Sequence, residues 1–264
     1  MKTTLLKRII IIGVFLWLPF TSMAWGLLGH RIVGQIADSY LTSGTKKEIF
    51  RILGNESIAM GSNWPDFVKS DSTYDWLSSW HYINIAAGKT QAQVQAILDA
   101  DTSSAYARIN FLVRELKKKD LPQEKKVIYL KILIHLVGDV HQPLHVGRPE
   151  DLGGNRVKVL WMGAPTNLHS LWDSKLIEFQ QLSYTEYASA INYTTKAQRK
   201  EWYKQPVSAW FWNSYQLAEG IYGDIKEPDQ KLEYKYNFKY LALMNQQLLM
   251  GGVHLAGLLN EIFD

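Results

Sequence analysis

Residues 135–145 read "HLVGDVHQPLH" and close a run of helical spacing over 123–141. His135 and Asp139 are four residues apart, so on a helix they share one face with side chains about 6 Å apart. Pro143 disfavours helical geometry at Gln142 and lacks a backbone donor, so the helix ends just beyond Asp139 and a turn delivers His145. His141 lies about 120° around the helix from His135 at about 100° per residue, which makes it a helix-terminal or supporting histidine. A lone His-x-x-x-Asp pair fits a hydrogen-bonded core pair as well as a metal site.

Working outward, helical periodicity dominates the rest of the chain. In "HRIVGQIADSYL", Ile32, Val33, Ile36, Ala37 and Tyr40 form one stripe. Further helices are expected at 45–53, 90–99, 103–118, 168–180, 205–222 and 232–262. After a Gly/Pro-rich loop, "KVLWMGAPTN" suits a short β-hairpin near 156–167. No internal repeat or interdomain linker interrupts this pattern. The expected fold class is all-α, one mainly helical domain over 25–264 with minor β structure.

Residues 1–24 have a different character. Lys2, Lys7 and Arg8 flank the apolar run "IIIIGVFLWLPF", and Ser22 and Ala24 supply a small-residue cleavage site. The run is shorter than the roughly 20 residues a membrane-spanning helix needs, so a signal peptide cleaved after Ala24 is expected. The mature protein would then be exported, periplasmic or secreted, without stable membrane insertion. Without Lys2, Lys7 and Arg8 the formal net charge of +4 falls to +1, so affinity for a polyanion must come from a local site. The chain has no cysteine, which excludes disulfides, thiolate metal sites and Cys nucleophiles. A zinc site must use His, Asp, Glu or a chain terminus.

Such residues recur. In "NLHSLWDS", His169 and Asp173 repeat the four-residue spacing; "NWPDFVKS" offers Asp66, and "WHYIN" offers His81. Taken singly, Asp66 reads more readily as a helix cap and His81 as a satisfied core residue. His30 lies five residues after Trp25, whose α-amino group would be exposed by cleavage. With an unperturbed pKa of roughly 8, that amine could give up its proton to a metal near neutral pH.

The ordered series "WGLLGHR", "WPDF", "WHYIN", "HLVGDVHQPLH", "GGN" and "NLHSLWD" resembles the zinc-dependent single-strand-specific nucleases of the P-one and S-one type. The resemblance implies three Zn²⁺ ions. The first would take Asp66, His81, His135 and Asp139; the second His145, His169 and Asp173; the third the amine and carbonyl of Trp25 with His30 and Asp139. Asp139 would bridge two ions, while His141 and His254 would stay outside. About three positive charges would remain after the three carboxylates are counted, suited to a phosphodiester and a nucleophile derived from water.

The same resemblance implies further roles. Lys69 and Asn155 would serve transition-state charge and phosphate orientation, and Asp66 would also orient the attacking water. From sequence alone Lys69 reads as a solvated surface lysine. Tyr82 sits at the family's base-stacking position, and Asn84 where some members carry an acidic base-reading residue. Trp76, Trp80, Trp210 and Trp212 read as core. Substrates would be single-stranded DNA or RNA and 3′-nucleotides, with 5′-phosphate products from strands and no obligate protein partner. Many members of the family have cystines, which this chain cannot form. A zinc-dependent phospholipase C acting on a lipid phosphodiester is the nearest alternative, and a zinc-retaining structural protein is another. "GGN" and "WHYIN" favour the nuclease.

Overall fold

The computed structural model describes residues 25–264; the signal peptide expected at 1–24 falls outside the described residues. The N-terminal third contains α1 (Leu27–Asp38), α2 (Ser43–Leu53), and the short α3 (Ile58–Gly61) and α4 (Trp64–Phe67). Two 3₁₀ segments, Val68–Ser70 and Ser72–His81, lead to α5 (Gln91–Ala100), α6 (Ala105–Leu116) and α7 (Gln123–Val140). A 3₁₀ turn at Pro143–Val146 precedes β1 (Lys158–Trp161) and β2 (Ala164–Asn167). Then come α8 (Leu168–Ser170), a π turn at Leu171–Lys175 and α9 (Leu176–Glu178). The chain ends with α10 (Tyr184–Ile191), α11 (Lys196–Tyr203), α12 (Val207–Gly223), β3 (Gln230–Leu232) and α13 (Tyr234–Phe263).

The all-α expectation holds, and the core explains it. From Ile132 to Val140 every residue of α7 is buried, as expected of a helix with apolar neighbours on all sides. α1 lies along α13, contributing Ile32, Val33, Ile36 and Ala37 to the same core. This packing fixes His30 on α1 and Asp139 on α7 near one another before any metal chemistry is considered. Among the described residues no helix is long and apolar enough to cross a membrane.

The hairpin forms as expected, with Lys158 opposite Asn167 and Trp161 opposite Ala164. Met162 and Gly163 both take positive φ, as a two-residue turn requires. β3, which periodicity misses, adds in parallel to β1 to give the order β2-β1-β3. The expected helix at 168–180 is interrupted by the π turn. Two helices between 184 and 203 were not expected from apolar spacing, and α11 shows why: none of its residues is buried, so no apolar stripe exists to be read.

Candidate metal centre

Four segments converge on one buried cluster: the start of α1 brings His30, the stretch 64–81 brings Asp66 and His81, α7 brings His135 and Asp139, and residues 145–173 bring His145, His169 and Asp173. All eight side chains are buried. The turn after α7 and the segment after His81 are fastened together, because Ile83 N donates to His145 O and Ile85 N to Gly147 O, each at 2.9 Å.

Three groups of side chains in this cluster could hold an ion: His81 with His135 and Asp139, His145 with His169 and Asp173, and His30 with Asp66 and His135. In the first group, His81 Nδ1 is 2.9 Å from His135 Nε2 and 3.1 Å from Asp139 Oδ2. His135 Nε2 is 3.3 Å from the same oxygen. Ligands about 2.0–2.1 Å from a tetrahedral zinc lie about 3.3 Å apart, so the triangle is close to that size. In the second, Asp173 Oδ2 is 3.1 Å from His169 Nε2 and Oδ1 is 3.7 Å from His145 Nε2. Asp139 joins the rest, since its other oxygen, Oδ1, lies 3.2 Å from His30 Nε2.

Backbone carbonyls set the histidine tautomers. The Nδ1–H of His135 donates to Ser62 O at 2.8 Å, that of His145 to His81 O at 2.7 Å, and that of His169 to Gly153 O at 2.6 Å. Each ring thereby turns its Nε2 lone pair into the cluster, the usual arrangement behind a metal-binding imidazole. His30 Nε2, His145 Nε2, His169 Nε2, Asp66 Oδ2 and Asp139 Oδ1 are buried with no hydrogen-bond partner among the described residues. So many inward-facing orphaned acceptors would be costly unless a cation satisfies them.

The protonation balance points the same way. Burial opposes the charge on Asp139, but His135 and His145 outweigh it and hold the carboxyl well below its ordinary value. Burial likewise opposes charge on His145, yet Asp139 and Asp173 push it up to about 9. His135 is also raised, against burial, by Asp139 and Asp66. His81, by contrast, is lowered to about 4 by burial. Buried carboxylates here draw positive charge to the cluster, and a divalent cation can replace the protons on these imidazoles.

Two glycines make the geometry possible. A Cβ on Gly138 of α7 would lie 2.7 Å from His30 Nδ1, so only glycine lets that ring lie against the helix. Gly153 has φ +66° and a Cβ there would meet Leu144 O at 2.6 Å; its carbonyl orients His169. The same position lies close to Asn84, whose Oδ1 would be 3.5 Å from that Cβ, so Asn84 and the "GGN" loop are neighbours. Asn155 Nδ2 donates to Leu152 O at 2.8 Å within this loop.

Lys69 is no free surface lysine: its Nζ pairs with Asp66 Oδ1 at 2.5 Å and its side chain is three-quarters covered. Tyr82 is exposed beside His81. Trp25 is fully buried, and the Gly26 amide donates to Asp173 O at 2.7 Å, anchoring the start of α1 to the π turn. π turns widen a helix locally and recur at functional sites.

One expectation needs correction and a second narrows. Trp76 is not core but 43% exposed, because it sits on the outer side of a 3₁₀ segment whose inner positions are Leu77 and Trp80. Of the two readings of His141 the helix-terminal one holds, since it is the C-cap of α7; its Nδ1 bonds Val137 O and its Nε2 lies 2.7 Å from His254 Nδ1, in a separate buried pair against Trp210 and not behind a ligand. Sequence reading also missed Gln142, whose Nε2 donates to Asp173 Oδ1 while its Oε1 accepts from Leu144 N at 2.6 Å. The signal was available, since a polar residue directly before Pro143 is well placed to cap the following turn.

The comparisons with known proteins agree with this geometry. The S1/P1 Nuclease family matches residues 25–264. Endonuclease 2 of Arabidopsis thaliana is 30% identical over 97% of this chain and 97% of its own length. Nuclease P1 of Penicillium citrinum is 29% identical over 90% of this chain and 97% of its own. Nuclease S1 of Aspergillus oryzae is 32% identical over 58% of this chain and 55% of its own. The chain belongs to the S1/P1 nuclease family, which is zinc-dependent, and the family supports a hydrolase of the endonuclease kind.

Proposed function

We propose, from membership of the S1/P1 nuclease family, that this chain is an exported three-zinc phosphodiesterase. It would cut single-stranded DNA and RNA to 5′-phosphate products and remove the phosphate of 3′-nucleotides. The observation that carries this reading is Asp139, whose Oδ2 faces His81 and His135 while Oδ1 faces His30. One carboxylate turned toward two ligand groups is the arrangement of a bridged metal pair rather than of a closed structural site.

Asp66, His81, His135 and Asp139 would hold the first ion, His145, His169 and Asp173 the second, and His30, Asp139 and the amine and carbonyl of Trp25 the third. Bound zinc supplies Lewis acidity for phosphate oxygens and makes a nucleophile available at neutral pH. The buried location and tethering of Trp25 support its place among the ligands. Asp66 keeps Oδ2 unpartnered among the described residues, which suits it to orient the attacking water. Lys69, held by the other oxygen of Asp66, brings positive charge to the transition state. Asn155 would orient the phosphate from the loop that also positions His169.

Strand preference follows from burial. A phosphodiester can reach the cluster only if its base is free to leave a duplex and stack elsewhere; exposed Tyr82, directly after a ligand histidine, provides the surface. Asn84 would contact the base edge. Export rests on the leader, and it has a chemical consequence: cleavage after Ala24 frees the amine of Trp25.

The test compares protein beginning at Trp25 with protein retaining one residue before it. The extended form is expected to hold one zinc fewer and to lose most cleavage of single-stranded DNA. Equal zinc content and equal turnover would remove the terminal amine from the site. A parallel assay on phosphatidylcholine should show no cleavage.

A further inference from the structure

The segment that supplies Asp66, Lys69 and His81 also carries an aromatic surface the catalytic cluster does not use. Trp76 is 43% exposed, and its inner edge rests on Trp80 at 4.7 Å between ring centroids in an edge-to-face contact. Tyr74 flanks it at 6.4 Å. Trp80 is buried and stands directly before His81, while the Arg108 guanidinium lies over its ring at 4.5 Å. Arg108 belongs to α6, whose first residue, Ala105, donates its amide to Tyr82 O at 3.3 Å. Arg108, Trp80 and Trp76 thus form one connected series, tied to the backbone of Tyr82 through the start of α6. An exposed indole in contact with a buried one is held in place by packing, so a second flat ring can stack on it at small entropic cost.

We propose that Trp76 is a second base-stacking platform for the strand, with Arg108 meeting the phosphate between it and Tyr82. The occupant is a nucleotide of the same single-stranded substrate, one or more residues away from the scissile phosphate. Two features select nucleic acid over an apolar partner: the Arg108 guanidinium lies over Trp80, the ring on which Trp76 rests, and the surface is continuous in sequence with the segment that would stack the cleaved nucleotide. The inference rests on the nuclease reading above and adds a length dependence to it. Short substrates touch the cluster and Tyr82; longer strands also reach Trp76.

The experiment measures kcat/KM of the zinc-loaded enzyme on thymidine dinucleotide and octanucleotide, for the native chain and for Trp76→Ala and Trp76→Phe. Binding of a phosphorothioate octanucleotide is followed by fluorescence anisotropy. The native enzyme should favour the octanucleotide, and W76A should cut that preference, and octanucleotide affinity, about 5- to 100-fold. W76F, which keeps a stacking face, should retain most of both. An unchanged length preference and affinity in W76A would overturn the proposal and leave the nuclease reading intact. An equal loss on both substrates would also overturn it, by assigning Trp76 to structure alone. A native enzyme that cleaves neither strand would instead defeat the nuclease reading.

Discussion

Asp139 is buried, and its two oxygens have different neighbours: Oδ2 at 3.1 Å from His81 and Oδ1 at 3.2 Å from His30. Asp139→Ala removes both oxygens at once. Zinc content measured by mass spectrometry should therefore fall by two ions rather than one; loss of a single ion would show that Asp139 serves one site only. Gln142 acts through Asp173, so Gln142→Leu should weaken one ion about 10- to 100-fold in a chelator competition and leave the other two bound. Lys69→Met should lower kcat about 100-fold or more without changing zinc content, because Lys69 pairs with Asp66 Oδ1 and is not itself a ligand.

At the scale of elements, the crossing of α1 and α7 decides whether His30 reaches Asp139, and Gly138 is the point of closest approach. Alanine there gains helix propensity of about 1 kcal/mol but puts a methyl 2.7 Å from His30 Nδ1. Gly138→Ala should thus lose zinc and activity while its thermal midpoint in chelator stays near that of the native chain. A variant with native zinc content would show that the ring can move aside. This crossing was only half legible in the sequence. The four-residue spacing put His135 beside Asp139 and His169 beside Asp173, and Pro143 explained the separate delivery of His145. Nothing in that spacing placed His30 against α7 or Asn84 against Gly153, because those approaches depend on tertiary packing. Trp76 was misread since a tryptophan's type does not reveal which side of a 3₁₀ segment it occupies. α11 escaped periodicity because none of its residues is buried, although Thr195 and Gln198 form a capping box that marks its start.

At the scale of the molecule, metal and protons compete for the same buried cluster. An ion present at a thousandfold above its Kd adds about 4 kcal/mol of stability. At about 2–4 °C per kcal/mol for a chain of this size, chelation should lower the melting midpoint by about 10 °C or more. A separate acid sensitivity comes from His254, which is buried against Trp210 and Trp202 and faces His141. Burial, then His141, depresses its folded pKa well below 6.5. The unfolded chain binds the proton first as pH falls, so stability present above pH 6.5 is lost progressively below it. Urea unfolding at pH 7 and 5.5 should show a smaller loss in His254→Phe than in the native chain; equal losses would exclude this histidine as a source of the acid sensitivity.

The buried His/Asp cluster, proposed as a three-zinc centre that cuts single strands, can be tested by metal content and cleavage together. The direct measurement is zinc per chain in protein beginning at Trp25, taken with cleavage of single-stranded DNA before chelation, after it, and after zinc is restored. Three ions per chain, loss of cleavage in chelator and recovery with zinc are predicted. A stoichiometry of one or fewer, or undiminished cleavage by the metal-free protein, would rule out a three-zinc catalytic centre.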